Sequence, residues 1–576
     1  MKKLCSVLFI SIVLVSEFFA QKSSDRQQNV PKVEKTMPFT KGLNLTAWLE
    51  GHGNSNSSSE LFGRQDFENI KSLGVEIVRV PVWFEEFSSG KPDYIVEEWL
   101  WEKIDCAVEW CTELKMYMII DFHNNCGGDS KTKPDVEEML LKIWPQIAKR
   151  YKDSGEYVLY EIMNEPHMKS GNVAADVAKW NKIQGNVLKK IREIDKTHTV
   201  IVGAEDWNSI GQLSKLPDYK DSNIILNFHD YSPFLFTHQG ASWTQFGRIT
   251  GVPFPYIKEK MPPLPKNPTN TEKWAFQDYP QASKEETLVK PLDEAVKFAN
   301  SRGVALMCNE WGVQMNYADD AERVNWYRLK SKWMDERNII RLSWDYNNSF
   351  GIFNKAGTLS GRARFPEDLN TGIVEAMGFT VPYGKSKPYL SWFENAGKTG
   401  NYTIYKNGFV KGVYSGGGVN GTLRINKIDS NDKTAYIYIA KADPWNSFQC
   451  IFDGTCDFTD LVNSGKALEF EIRSNQKGLN ISVYFMDKET AGTGKGNLAW
   501  RCQTTIREKL VPADGKWHKV RVPLKEFYDS GAWDGSEQKW YNPEGLFSWK
   551  KVDRLTFDFG EKGLQNNISI RNIEIK

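Results

Sequence analysis

The chain is 576 residues long, more than one ordinary domain accommodates, so two folded units are expected. Its 74 basic residues against 73 acidic ones leave no excess charge to attract nucleic acid or an anionic membrane, and neither is expected as a partner. The 21 Trp, 22 Tyr and 31 Phe suit a large core and also the apolar faces of sugar rings.

The start, Met1-Lys2-Lys3 and then the apolar run 7–15, has the charged region and short core of a secretory signal peptide, with cleavage expected near Ala20. The run is too short to span a bilayer. A secreted, cell-surface or periplasmic location follows, with no membrane contact after signal removal. Residues 21–37 are polar, contain Pro31 and read as a linker.

Eight apolar runs come next, at 43–45, 77–82, 117–122, 158–163, 199–202, 224–228, 304–308 and 339–342. They alternate with amphipathic stretches such as 67–73, 102–114, 136–151 and 173–194, where apolar residues recur three and four apart. Strand and helix in alternation mean a parallel sheet, and eight units predict a closed (β/α)8 TIM barrel over 38–397. The stretch 232–300 exceeds a normal connection, so it should carry an extra loop with functional contacts.

After a short linker at 398–408 the pattern changes to period-2 runs, 468–472, 479–485 and 568–570, separated by Gly, Asn and Asp turns. This predicts an antiparallel β-sandwich, jelly-roll-like, over 409–576. Cys450 and Cys456 flank a small loop through Asp453-Gly454 and are candidates for a disulfide. Cys106 and Cys111 fall on one predicted helix and Cys308 inside a strand. No cysteine has metal-ligand spacing, and neither a cofactor nor a catalytic metal is expected. Asp429, Asn431 and Asp432 are spaced either to hold a structural calcium or to form a solvated turn.

The predicted barrel strands end in polar residues that a core does not need. Strand two carries Arg79, strand three ends in Asp121-Phe122-His123, and strand four runs into Asn164-Glu165-Pro166. Strand six ends in His229-Asp230-Tyr231, strand seven in Asn309-Glu310-Trp311-Gly312, and strand eight in Ser343-Trp344-Asp345. Catalytic groups of this fold sit at that end of the strands, and two carboxylates from different strands are the minimum for cleaving a glycosidic bond. One such residue alone would read as an ion-pair partner or a core histidine; eight in order do not.

These residues, within roughly 40–395, resemble glycoside hydrolase family 5, the cellulase-type retaining barrel glycosidases, with no departure at the eight positions. The resemblance implies that Glu165 is the acid/base and Glu310 the nucleophile. It implies that Arg79 and Tyr231 hold Glu310 ionised, that Asn164 grips the sugar 2-hydroxyl, and that His123 and His229 complete the polar lining. Trp344 would be the stacking floor. The implied activity is endo-β-1,4-glucanase, with β-mannanase, xyloglucanase or a non-catalytic glycan-binding protein as alternatives. Trp48, Trp83, Trp207 and Trp243 are candidate sugar platforms.

The segment 514–524 and the two closing runs, 552–557 and 570–575, resemble galactose-binding-like carbohydrate-binding modules. In that unit Trp500, Trp533, Trp540 and Tyr541 are candidates for stacking on a glucan chain, with a purely structural sandwich as the alternative.

Overall fold

In the computed structural model each apolar run forms a strand: β1 (Lys41–Asn44), β2 (Ile77–Val82), β3 (Tyr117–Phe122), β4 (Val158–Glu161), β5 (Val200–Gly203), β6 (Ile224–His229), β7 (Ala305–Glu310) and β8 (Ile340–Ser343). All neighbouring pairs are parallel, and β1 pairs with both β2 and β8, so the barrel is closed. The structure describes residues 30–576 apart from 51–61, 124–130, 355–362, 383–390, 411, 418–422, 490–494 and 536. The expected signal peptide at 1–20 lies outside the described residues. Among those described, no helix is long and apolar enough to cross a membrane.

Side chains two apart on a strand share a face, and this places the chemistry. Ile77, Ile119, Leu159, Ile201, Ile225, Ala305, Met307 and Leu342 fill the lower barrel as one apolar layer with Phe39. Two residues further along, the inward positions are Arg79, Asp121, Glu161 and Asn227, with Asn309 two beyond Met307; all are buried. The barrel interior therefore changes from hydrocarbon to a polar floor within one strand step.

The outward faces of the strands pack on helices to form the main core. Helix ends follow local chemistry. Asn172 caps Val173–Arg192 by accepting from the Ala175 amide, and Asp319 caps Asp320–Glu336 by accepting from Glu322. Helix Glu285–Arg302 stops at Gly303, whose φ of 64° turns the chain into β7. The long stretch after β6 contains a helix of its own, Asn270–Ala282, opened by a Thr269–Glu272 capping box.

The second unit is antiparallel, a seven-stranded and a six-stranded sheet around a separate core. Its boundary differs from the expected linker at 398–408. Helix Trp392–Thr399 already belongs to it, with Trp392 stacked 4.5 Å from Phe452 and its indole N–H donating to Thr403. Strand Tyr402–Tyr405 pairs with Ile568–Ile575. The helix has too few turns to stand out from a linker by periodicity. The described end of the first linker also departs from expectation, because Val33 is buried and its N–H donates to Arg337 O at 2.9 Å.

Cys450 and Cys456, the candidate pair, are both free and buried. They lie six residues apart on one strand, Ser447–Cys456, which at about 3.3 Å per residue is far beyond disulfide reach. The two units meet where Arg424 pairs with Glu97 and lies 5.4 Å from the Trp99 ring centre. A cleft of about 690 Å³ is lined by Trp110 and Phe365 of the barrel and Phe409 and Ile428 of the sandwich, and by neither strand-end glutamate.

Candidate active site

Arg79 organises the polar floor. It is fully buried, and its guanidinium meets three carboxylates from three other strands: Glu161 at 2.6 Å, Asp121 at 2.9 Å and Glu310 at 2.7 Å. Its remaining N–H groups donate to Asn44 Oδ1 at 3.0 Å and Asn164 Oδ1 at 2.8 Å. A planar fork with five donors is the side chain that can serve so many acceptors at once.

Glu310, at the end of β7, accepts on Oε1 from Arg79 and on Oε2 from the Tyr231 hydroxyl at 2.9 Å. Burial pushes its carboxyl up, but His229, Arg79, His123 and the Tyr231 hydrogen bond outweigh that and hold it below the ordinary value. It is therefore an ionised carboxylate at neutral pH.

Glu165 follows β4 in a left-handed backbone, φ 42°, and is the more exposed of the two, its side chain 28% accessible. Its Oε1 meets His229 Nδ1 at 2.8 Å, and the same nitrogen lies 3.5 Å from Glu310 Oε2. One oxygen of each glutamate and a His229 nitrogen all lie within 4.8 Å of one another. That close approach is in keeping with retaining glycosidases, whose carboxyl groups are about 5–5.5 Å apart.

His123 Nδ1 is held by Asp121 at 2.7 Å, and its Nε2 faces the Asn164 amide at 3.3 Å. Because Asn164 Oδ1 is taken by Arg79, its amide N–H groups are the part turned toward the cavity. Trp344 is half-buried and lies parallel to the His123 ring at 5.7 Å. Arg79, His123, Asn164, Glu165, His229, Tyr231, Glu310 and Trp344 thus converge on one place.

The expected platforms divide. Trp243 is 55% exposed, near Phe350. Trp48 is 1% exposed and packed edge-on against Phe62 and Phe67, so it is core, and Trp83 is buried likewise. Trp207 has His167 stacked on it at 4.6 Å and Lys169 4.6 Å from its ring centre. In the sandwich, Trp500 is 1% exposed, and Tyr541 packs against the cluster of Leu498, Trp500 and Ala532. Alternation along the strands explains this, since Trp500 and Arg501 must face opposite ways. Trp540 stays exposed, paired across the strands with Trp533, and Arg501 lies between it and Tyr484 at 4.9 and 4.8 Å.

Asp429 accepts from Arg473 and Trp517, and Asp432 from Arg571. Sequence reading missed Glu161 and Asn44. Both sit inside apolar runs, Tyr160-Glu161-Ile162 and Leu43-Asn44-Leu45, where a polar residue was itself the signal.

Residues 40–350 match the family model described as cellulase, glycosyl hydrolase family 5, and residues 395–576 match that of carbohydrate binding domain 30. Among similar proteins, Endoglucanase 3 of Fibrobacter succinogenes is 29% identical over 58% of this chain and 53% of its own length, so the chain spans about half of that relative. Endoglucanase C of Acetivibrio thermocellus is 30% identical over 55% of this chain and 94% of its own. Of solved structures, Thermotoga maritima Cel5A in complex with cellobiose aligns with a TM-score of 0.48 and 24% identity, over 59% of this chain and 97% of that one. With a cellulase match that covers the whole closed barrel, the chain belongs to glycosyl hydrolase family 5.

Proposed function

We propose that this protein is a secreted, retaining endo-β-1,4-glucanase whose sandwich keeps it on its polysaccharide. The observation that carries the reading is the pair of glutamates: Glu310 at the end of β7, held ionised by Arg79 and Tyr231, and Glu165 after β4, with one oxygen of each within 4.8 Å. Glu310 attacks the anomeric carbon while Glu165 gives its proton to the departing glycosidic oxygen. The chain fragment leaves, and a covalent glycosyl-Glu310 remains. Glu165, now ionised, takes a proton from water, the hydroxide displaces Glu310, and the anomeric configuration is retained. Protons and electrons balance with two carboxylates and water, so the mechanism calls on no metal or cofactor.

Asn164, with its amide N–H groups inward, would bind the 2-hydroxyl, and Trp344 would support the reacting ring. In the sandwich, Trp533 and Trp540 are exposed, with Arg501 beside Trp540, and together form a face suited to a β-glucan chain. That face rather than Trp500 or Tyr541 would bind it. Kinship with galactose-binding-like modules rests on the 514–524 segment and is part of the same reading.

The assignment is tested with azide and an aryl β-cellobioside bearing a good leaving group. Glu165→Ala still glycosylates Glu310, so azide should release the β-glycosyl azide. Glu310→Ala has lost its attacker, so azide should enter from that side and give the α-product. Exchanged products would reverse the two roles. A parallel assay on β-1,4-glucan, mannan and xyloglucan should show the highest kcat/KM on glucan; preference for either of the others would overturn the substrate.

A further inference from the structure

Three successive residues after β5, Asp206, Trp207 and Asn208, adopt left-handed backbone at φ of 69°, 55° and 54°. Asparagine tolerates that region and tryptophan does not, so the surroundings impose it. The turn carries the fully buried Asn208 against His229. Its backbone O accepts from the His229 N–H at 2.9 Å, and its side-chain Nδ2 lies 3.3 Å from His229 Nε2. The amide oxygen rests against Gly203, the last residue of β5, where a Cβ would stand 2.1 Å from it.

An imidazole has two nitrogens, and here both are engaged. Nδ1 faces Glu165 at 2.8 Å and Glu310 at 3.5 Å. Nε2 faces an amide N–H, which it can meet only with a lone pair. The ring's single proton then belongs on Nδ1. Burial draws the His229 pKa down, but the charges of Glu310 and Glu165 outweigh burial and Arg79 and push it up. A second proton would have to enter at Nε2, the position the amide blocks.

We infer that Asn208 is a positioning residue: by donating to Nε2 it holds His229 as the neutral Nδ1–H tautomer, and so fixes which oxygen of Glu165 carries the catalytic proton. Nδ1–H donates to Glu165 Oε1, so the transferable proton sits on Oε2. A doubly protonated ring would instead stabilise Glu165 as a carboxylate and remove the acid. The inference rests on Glu165 being the acid/base.

The experiment compares kcat/KM across pH for a dinitrophenyl and a phenyl β-cellobioside, in the parent enzyme, Glu165→Ala, Asn208→Leu and Asn208→Asp. The first leaving group needs no proton and the second does. Glu165→Ala should lose activity on the phenyl substrate alone. Asn208→Leu should do so more weakly, by roughly 10- to 100-fold against the larger effect of losing a general acid outright, with the alkaline limb moved to lower pH. Asn208→Asp keeps the shape and the backbone tolerance, and its carboxylate can only accept, so it draws a proton onto Nε2 and should show the same selective loss. Gly203→Ala should match them by displacing the amide without removing a polar group. Equal losses on both substrates, or an unmoved alkaline limb in the two Asn208 variants, would overturn the inference while leaving Glu165 in place. Absence of selectivity in Glu165→Ala would overturn both.

Discussion

At the scale of single residues, Arg79 is the one on which the others depend. Each of its carboxylate partners is buried, so deleting the guanidinium strands three acids where solvent cannot reach them, and Arg79→Ala should fail to fold stably. Arg79→Lys keeps one positive charge but not the fork. Glu310 should then be less well held in its ionised form. Because the acid limb of activity follows ionisation of Glu310, that limb should move to higher pH by about one unit, the low end of the effect of a neighbouring charge on a carboxylate. A pH profile of kcat/KM on a soluble oligosaccharide measures this, and an unmoved acid limb in folded Arg79→Lys would separate the two residues. The residues best legible in sequence were those ending an apolar run, Glu165 and Glu310, because a carboxylate there has no structural excuse. Glu161 was not, since a chain pattern does not say which side of a strand faces inward until the barrel closes.

At the scale of elements, the strand ends are held from outside as well as from within. Asp230 lies between His229 and Tyr231, its N–H donates to Glu310 O at 3.0 Å, and its carboxylate pairs with Lys330 of helix Asp320–Glu336. Lys330 is fully buried, and Trp326 of the same helix donates to Ser232 O at 3.1 Å. Lys330→Met should destabilise the barrel by about 3–5 kcal/mol, the usual effect of leaving one buried charge alone. The double variant Asp230→Asn with Lys330→Met should recover most of it. Denaturant midpoints provide the measurement; additive losses in the double variant would show that the two side chains act separately. This pair was invisible in the sequence, as residues one hundred apart give no local pattern. The eight strands were legible because burial on both faces leaves continuous apolar runs. The short helix Trp392–Thr399 and the separation of Cys450 from Cys456 along one strand were not, since each depends on how the second unit folds.

At the scale of the whole molecule, the barrel and the sandwich have separate cores. A cut ahead of Trp392 should leave a barrel with unchanged kcat/KM on soluble oligosaccharides and weaker adsorption to insoluble glucan, measured by depletion from the supernatant. Loss of both properties would make the sandwich a brace for the barrel instead. The strand Ile568–Ile575 has a further consequence. It lies in the middle of the six-stranded sheet, between Ala435–Ile439 and Ala467–Ser474, and also pairs with Tyr402–Tyr405. No centre exists for that sheet until residue 575 has left the ribosome, whereas the barrel core is complete at Val381. At about 5–20 residues per second, translation of the intervening segment takes roughly 10 to 40 seconds. Throughout that interval the barrel stands finished beside an unfolded, aromatic-rich chain, and Glu97 and Trp99 have no Arg424 to cover them. Any ribosome stall ahead of Ile568 would therefore yield a nascent chain with a folded catalytic unit and an aggregation-prone tail.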